Sequence, residues 1–124
     1  EGKEYLAKCL TNINNLSNKN NILNKTICGD TFDILKKLPQ NFVDLLIVDP
    51  PYNLSKDYDG KKFCATNDEE YRKYTIKWIK AIKPLLKNTG SIYVCCDWKT
   101  SLIIGDVLKK YFIRYCFFSL IMLK

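Results

Sequence analysis

At 124 residues, 47% apolar and 27% charged, the chain has the composition of one globular domain and not of a disordered or low-complexity polymer. Twenty Lys+Arg against thirteen Asp+Glu give a formal charge of +7, which favours a polyanionic partner. Histidine is absent and the six cysteines (Cys9, Cys28, Cys64, Cys95, Cys96, Cys116) form no C-x-x-C pair, so no zinc or other metal site is expected. No signal peptide or membrane-spanning run is visible, and a reducing cytoplasm is the expected location.

Residues 1–10 can start a short helix, but Asn12, Asn14, Asn15, Asn18, Asn20, Asn21 and Asn24 then favour turns over regular structure. Residues 1–24 are read as an arm or linker, and residues 25–124 as the folded domain. An apolar pattern over 22–28 ends at Gly29-Asp30, and Phe32, Ile34, Leu35 and Leu38 follow at helical spacing up to Pro39. The expectation is strand, turn, helix, with Asp30 at a strand's carboxyl end, where it can cap the helix or serve a ligand. A second strand over 42–48, joined to the first through that helix, would run parallel to it.

The run Val43, Leu45, Leu46, Ile47, Val48 feeds into Asp49-Pro50-Pro51-Tyr52. A buried strand must stop there, because two prolines offer no ladder donors and stiffen the turn. The turn presents a carboxylate and an aromatic ring at a strand's carboxyl end, the edge at which open α/β sheets place ligands. An exocyclic amine has two N–H donors, and Asp49 and the Pro50 carbonyl can each accept one. Tyr52 can stack on the ring that bears the amine, as enzymes do with a base extruded from a duplex.

After Tyr52, residues 53–66 show no periodicity and read as a polar lid, with Lys56, Lys61 and Lys62 available to phosphates. Asn67 and Glu70 resemble a capping box, followed by Tyr71, Tyr74, Trp78, Ile82 and Leu85 on one helical face. Arg72, Lys73, Lys77, Lys80 and Lys83 form the basic opposite face, which is either a DNA track or simply a solvated surface. Pro84 should kink or end the regular helix, Thr89-Gly90 should stop it, and residues 91–96 read as a buried strand. Cys28, Cys95 and Cys96 read as small buried thiols. Trp98 either lines a base pocket or caps the core. Residues 100–110 read as a short helix with Leu102, Ile103, Val107 and Leu108 inward, and 111–118 as a last strand. The remaining apolar run is far too short to span a bilayer.

Leu45 to Tyr52, together with Cys28-Gly29-Asp30 and Thr89-Gly90-Ser91-Ile92-Tyr93-Val94, resembles the permuted beta class of DNA amino-methyltransferases that act on adenine N6. The likeness covers roughly residues 26–111. It implies an α/β fold, the Rossmann-like fold of S-adenosylmethionine-dependent methyltransferases in partial form, with a mostly parallel sheet and flanking helices. It implies S-adenosylmethionine as cofactor, with Asp30, Asp49 and Pro50 contributing to its site, and Asp49, Pro50, Pro51 and Tyr52 as the catalytic turn. Double-stranded DNA with a flipped adenine would be the partner, with no membrane or metal involved; a homodimer is compatible with the likeness. Asp at the first motif position resembles adenine-directed members more than cytosine-N4 ones, which more often carry Ser.

The chain also departs from that pattern. Its glycines (Gly2, Gly29, Gly60, Gly90, Gly105) include no G-x-G pair, so the glycine-rich cofactor loop that the class carries towards its C-terminus is not present, and neither is a target-recognition region. The expectation is therefore the catalytic-motif part of a methyltransferase, truncated before that loop. Alternatives are methylation of cytosine N4, an RNA base or a side-chain amide, or a non-catalytic remnant that binds nucleic acid through its basic surface.

Overall fold

The computed structural model describes residues 16–58 and 61–112. The expected helix start at 1–10, Cys9, Cys116 and all but the first two residues of the expected strand 111–118 lie outside the described residues. In chain order the elements are α1 (Lys19–Ile22), α2 (Thr31–Leu35), β1 (Val43–Val48), β2 (Lys56–Tyr58), β3 (Lys61–Phe63), α3 (Asp68–Ile82), β4 (Leu86–Val94) and α4 (Trp98–Tyr111), with a 3-10 turn at Lys83–Leu85. They form two compact units, one of Glu1–Leu45 and Ala81–Ser91, the other of Leu46–Lys80 and Ile92–Lys124. No helix among the described residues is long and apolar enough to cross a membrane.

In the first unit, residues 22–28 are not the expected strand. Asn18 caps α1 by accepting from the Asn20 amide at 3.0 Å, and the turn that follows takes Asn24 to a left-handed φ of 56°. Asparagine tolerates that region because its short polar side chain can bond locally, and an extended run cannot pass through it. Only Thr26 makes an isolated bridge. Asp30 then caps α2, its carboxylate accepting from the Asp33 amide at 3.1 Å. Lys36 closes on Asp33 at 2.9 Å, and that bond, with the lysine's charge, holds the Asp33 carboxyl below its ordinary pKa.

The parallel pair forms elsewhere, between β1 and β4. Asn41, itself left-handed at φ 53°, donates to the Pro84 carbonyl at 2.9 Å, and Phe42 to the Leu85 carbonyl at 3.0 Å, so the two chains advance together. Lys87 reaches both oxygens of Asp44 at 2.7 and 2.9 Å. β4 has nine residues and β1 six; the surplus falls past Lys87, in the stretch that holds Gly90. A Cβ on Gly90 would lie 2.9 Å from the Val43 carbonyl oxygen and 3.0 Å from that of Lys87, so only glycine lets the backbones come this close. β4 begins directly after the 3-10 turn, which places Thr89-Gly90 inside a strand and not at a helix end. Pro84 is what ends α3: it lacks the N–H to continue the ladder, and the regular helix stops at Ile82.

The second unit is built on α3 and α4. The Asn67 side chain accepts from the Glu70 amide at 2.9 Å and its carbonyl from the Tyr71 amide at 3.0 Å, which starts α3 as the capping pattern predicts. Tyr71, Thr75, Trp78, Ile79 and Ile82 are buried along one face, and the Thr75 hydroxyl bonds back to the Tyr71 carbonyl at 2.9 Å. In α4 the buried set is Thr100, Ser101, Ile103, Ile104 and Val107. Leu102, expected inward, is 71% exposed, because it stands two positions from both Thr100 and Ile104 and so on the far side of the helix. Arg72 pairs with Asp106, tying α3 to α4; the guanidinium lowers the Asp106 pKa. That arginine is thus engaged within the fold and not turned to a phosphate track.

The expectation of fully buried strands also fails. Leu45 and Ile47 of β1 and Tyr93 of β4 are exposed, alternating with half-buried neighbours. A two-stranded sheet has two edges and covers little of itself, so period-two alternation replaces the continuous burial of an interior strand. Cys28 and Cys95, expected buried, are exposed and Cys96 is half-buried; all three, with Cys64, are free thiols.

Candidate active site

The site is assembled around the end of β1. The Val48 carbonyl accepts from the Cys95 amide at 2.8 Å, which joins the last residue of β1 to the residue just past β4. Asp49 and Tyr52 follow as exposed side chains, with Pro50 buried beneath them. Burial raises the Tyr52 phenol pKa, and the nearby Asp49 carboxylate raises it further, with smaller contributions from Cys95 and Cys96. Tyr52 thus lies near Asp49, Cys95 and Cys96, and Asp49 is exposed and able to accept.

Two prolines in succession remove two of the turn's four N–H groups, so bonds to its carbonyls carry more of the task of fixing it. The Tyr71 hydroxyl donates to the Pro51 carbonyl at 3.0 Å, and the Leu54 amide to the Tyr52 carbonyl at 2.8 Å. Burial pushes the Tyr71 phenol up to about 12, against a smaller opposing effect of the Thr100 hydroxyl beside it. Thr100 in turn donates to the Asp97 carboxylate at 2.9 Å, and the same carboxylate caps α4 through the Lys99 and Thr100 amides at 2.8 and 3.1 Å. Burial first, then the Asp97 charge, lifts the Cys96 thiol pKa.

The stretch after the turn, read from the sequence as an aperiodic lid, is a hairpin with a tied neck. Asn53 donates to the Thr66 carbonyl at 2.8 Å and accepts from the Thr66 amide at 2.7 Å, while the Ala65 amide bonds the Ser55 hydroxyl at 3.0 Å. Between these ties β2 and β3 pair antiparallel in the register Lys56 to Phe63, Asp57 to Lys62 and Tyr58 to Lys61. Lys56, Lys61 and Lys62, expected at DNA, therefore all lie on this hairpin. Asp30 belongs to the other unit and is engaged as the cap of α2. Trp98 is 67% exposed, with the Lys99 ammonium 5.4 Å from its ring centroid, which rules out the core-capping role. Among the described residues no three His, Cys, Asp or Glu side chains form a group that could hold a metal.

Sequence reasoning missed the anchors. Tyr71 falls on the apolar face of α3 by spacing and reads as core, although a phenol in the first turn after the motif signals a hydroxyl needing a partner. Asn53, immediately after Tyr52, carries the side chain best suited to close a loop on itself.

Residues 43–121 match the family described as DNA methylase, so the match includes Asp49–Tyr52, α3, β4 and α4. The chain is 35% identical over 86 residues to the type II methyltransferase M.HpaI of Haemophilus parainfluenzae, covering 69% of this chain and 27% of that protein. It is 31% identical over 106 residues to the type II methyltransferase M.HinfI of Haemophilus influenzae, covering 75% and 30%. To the DNA adenine methyltransferase YhdJ of Escherichia coli (strain K12) it is 38% identical over 71 residues, covering 56% and 24%. The chain spans less than a third of the length of these relatives. With the diproline turn at the end of a parallel strand and a family match over most of its length, the chain belongs to the DNA methylase family.

Proposed function

We propose that this chain carries the amine-binding turn of a site-specific DNA methyltransferase that acts on adenine N6 within a restriction–modification system. The observation that carries this reading is the exposed Asp49 beside Tyr52, on a turn whose Pro51 carbonyl is fixed by a donor from α3. The type II relatives and the adenine methyltransferase YhdJ point the same way. The wider architecture is inferred to be a partial Rossmann-like methyltransferase fold.

The residues present fit a methyl donor and an amine, since an exposed carboxylate and a proline carbonyl are acceptors that leave the nucleophile unprotonated. S-adenosylmethionine, when bound, supplies an electrophilic methyl group on a sulfonium. Asp49 and the Pro50 carbonyl accept the two amine hydrogens of a flipped adenine and draw the nitrogen towards sp³ geometry, freeing a lone pair otherwise delocalised into the ring. The Tyr52 ring stacks on the base. Positioning and electrostatic stabilisation provide the acceleration. Asp30 contributes to the cofactor's adenosine end with the carboxylate valence that the α2 cap leaves open, and Lys56, Lys61 and Lys62 meet DNA phosphates.

Incubating the chain with duplex DNA and methyl-labelled S-adenosylmethionine, followed by nucleoside analysis, tests this. N6-methyladenine formed by the chain and abolished by Asp49→Ala is the expected result; N4-methylcytosine would reassign the target, and no product would show that this chain does not transfer methyl on its own.

A further inference from the structure

We propose that Tyr71 is a positioning residue for the Asp49–Tyr52 turn: its hydroxyl, buried beside Thr100, fixes the Pro51 carbonyl and through it the Tyr52 ring and the amine acceptors. The role in methyl transfer rests on the function proposed above; the anchoring itself does not.

Pro50 and Pro51 have no N–H with which to hold the middle of the turn, and the Pro51 carbonyl accepts from Tyr71 at 3.0 Å. The Pro51 carbonyl is half of the peptide group that enters Tyr52, so rotation of that plane would swing the Tyr52 ring and change its approach to Asp49. Tyr71 is well suited to prevent this. It is 4% exposed, and its amide bond to the Asn67 carbonyl at 3.0 Å sets it at the start of α3. Its ring lies against Tyr74, with centroids 6.1 Å apart. The phenol has few alternatives in water, and removing it would leave a carbonyl short of its partner.

The second half of the device faces the other way. Thr100 is 2% exposed and lies beside the Tyr71 phenol, while its hydroxyl donates to Asp97 at 2.9 Å. Asp97 is immobilised by capping α4 with 2.8 and 3.1 Å bonds. A polar pair at the α4 cap, Thr100 and Asp97, thus lies beside the buried phenol that holds the catalytic turn. The elevated Tyr71 pKa agrees with a phenol that remains a proton donor across the working pH range. Since methyl transfer depends on in-line placement, a displacement of about 1 Å at Tyr52 or Asp49 is enough to cost on the order of a hundredfold in rate.

The test compares the full chain with Tyr71→Phe, which keeps the ring and removes only the hydroxyl, and with Thr100→Val and Thr100→Ser. Carbonyl-labelled proline reports the Pro51 hydrogen bond by NMR, thermal melting reports the fold, and methyl transfer to duplex DNA is resolved into kcat and KM. The expected result is a Pro51 carbonyl resonance shifted in Tyr71→Phe and kcat lower by ~10–100-fold at little-changed KM. Thr100→Val should show a weaker version of both, and Thr100→Ser should restore wild-type values. A Pro51 resonance that stays in place in Tyr71→Phe overturns the proposal, as does a shifted resonance with unchanged kcat. If the wild-type chain transfers no methyl, the function proposed above fails for this chain, and the Pro51 resonance still decides whether Tyr71 holds the turn. Should Tyr71→Phe not fold, the isosteric Thr100→Val carries the same comparison.

Discussion

Asp30 and Asp49 look alike in the sequence, each an acid that closes a short apolar run, yet the structure uses them differently. Asp30 follows a left-handed turn and a lone bridge, and its carboxylate serves the helix that begins one residue later. Asp49 follows a paired strand and stands exposed on a turn whose backbone is held by Tyr71, by Leu54 and, one residue earlier, by Cys95. The first carboxylate is satisfied locally and could be transplanted with its helix. The second depends on residues more than twenty and forty positions downstream, and such dependence is what a site built for geometry requires.

The sharpest way to break this comparison is to remove each acid. Asp49→Ala should lower methyl transfer by about 10²–10³-fold while leaving the melting temperature nearly unchanged, since an exposed carboxylate contributes little to the fold. Comparable loss of rate and of stability would place Asp49 among the structural residues instead. Asp30→Ser keeps a capping oxygen and deletes the charge, so stability should hold within ~0.5 kcal/mol, while S-adenosylmethionine binding by calorimetry weakens if the carboxylate reaches the cofactor. Asp30→Ala should cost about 1 kcal/mol through the lost cap alone.

Alkaline titration separates the buried phenol from the exposed groups. Tyr71 sits near 12 in the folded chain and near 10 when unfolded, so the folded state holds the proton more tightly. The stability this confers is complete below about pH 10 and is lost as pH rises through about 12, up to ~2–3 kcal/mol. Denaturant melts across that range should show the decline, and Tyr71→Phe should flatten it. A wild-type profile that stays flat would mean that the phenol is not desolvated as the structure shows.

Gly90→Ala probes the first unit without touching the site. A Cβ there meets the Val43 and Lys87 carbonyl oxygens at 2.9 and 3.0 Å, backbone atoms that cannot swing aside, and the substitution should cost about 1–3 kcal/mol in thermal or chemical melts. A neutral outcome would show that β1 and β4 can separate at that rung freely. The smallest effect is expected for Asn53→Ala, which unties the hairpin neck at an exposed position: a loss of about 1 kcal/mol or less in overall stability, but faster proteolytic cleavage within 54–65.

How much of this was legible beforehand follows from which interactions are local. The diproline turn, the Asn67 cap and the α3 face could be read from the sequence because each is written within a few consecutive residues. Residues 22–28 misled because Ile22, Leu23 and Ile27 supply apolar spacing, while the conformation is decided by what Asn18 caps and by Asn24 turning left-handed. Thr89-Gly90 resembled a helix stop because a glycine signals a turn or a close backbone approach equally well, and only the position of Val43 across the sheet tells which. The inward face of α4 was misjudged at Leu102, since Thr100 and Ser101 are polar yet buried through their bonds to Asp97 and to the Trp98 carbonyl. In the site, the acceptors were visible and their anchors were not. Long-range hydrogen bonds such as Tyr71 to Pro51 leave no periodic trace in either partner.

The tied neck at Asn53 and Thr66 has an evolutionary consequence. Because the two ends of the hairpin are bonded to each other, lengthening or rewriting the residues between them adds only the slowly growing entropy of closing a longer loop, and the change is not transmitted to the neighbouring Pro51–Tyr52 peptide. The hairpin is therefore an exchangeable cassette. Insertions between Asn53 and Thr66 should disturb the fold less than insertions in the turn at its base.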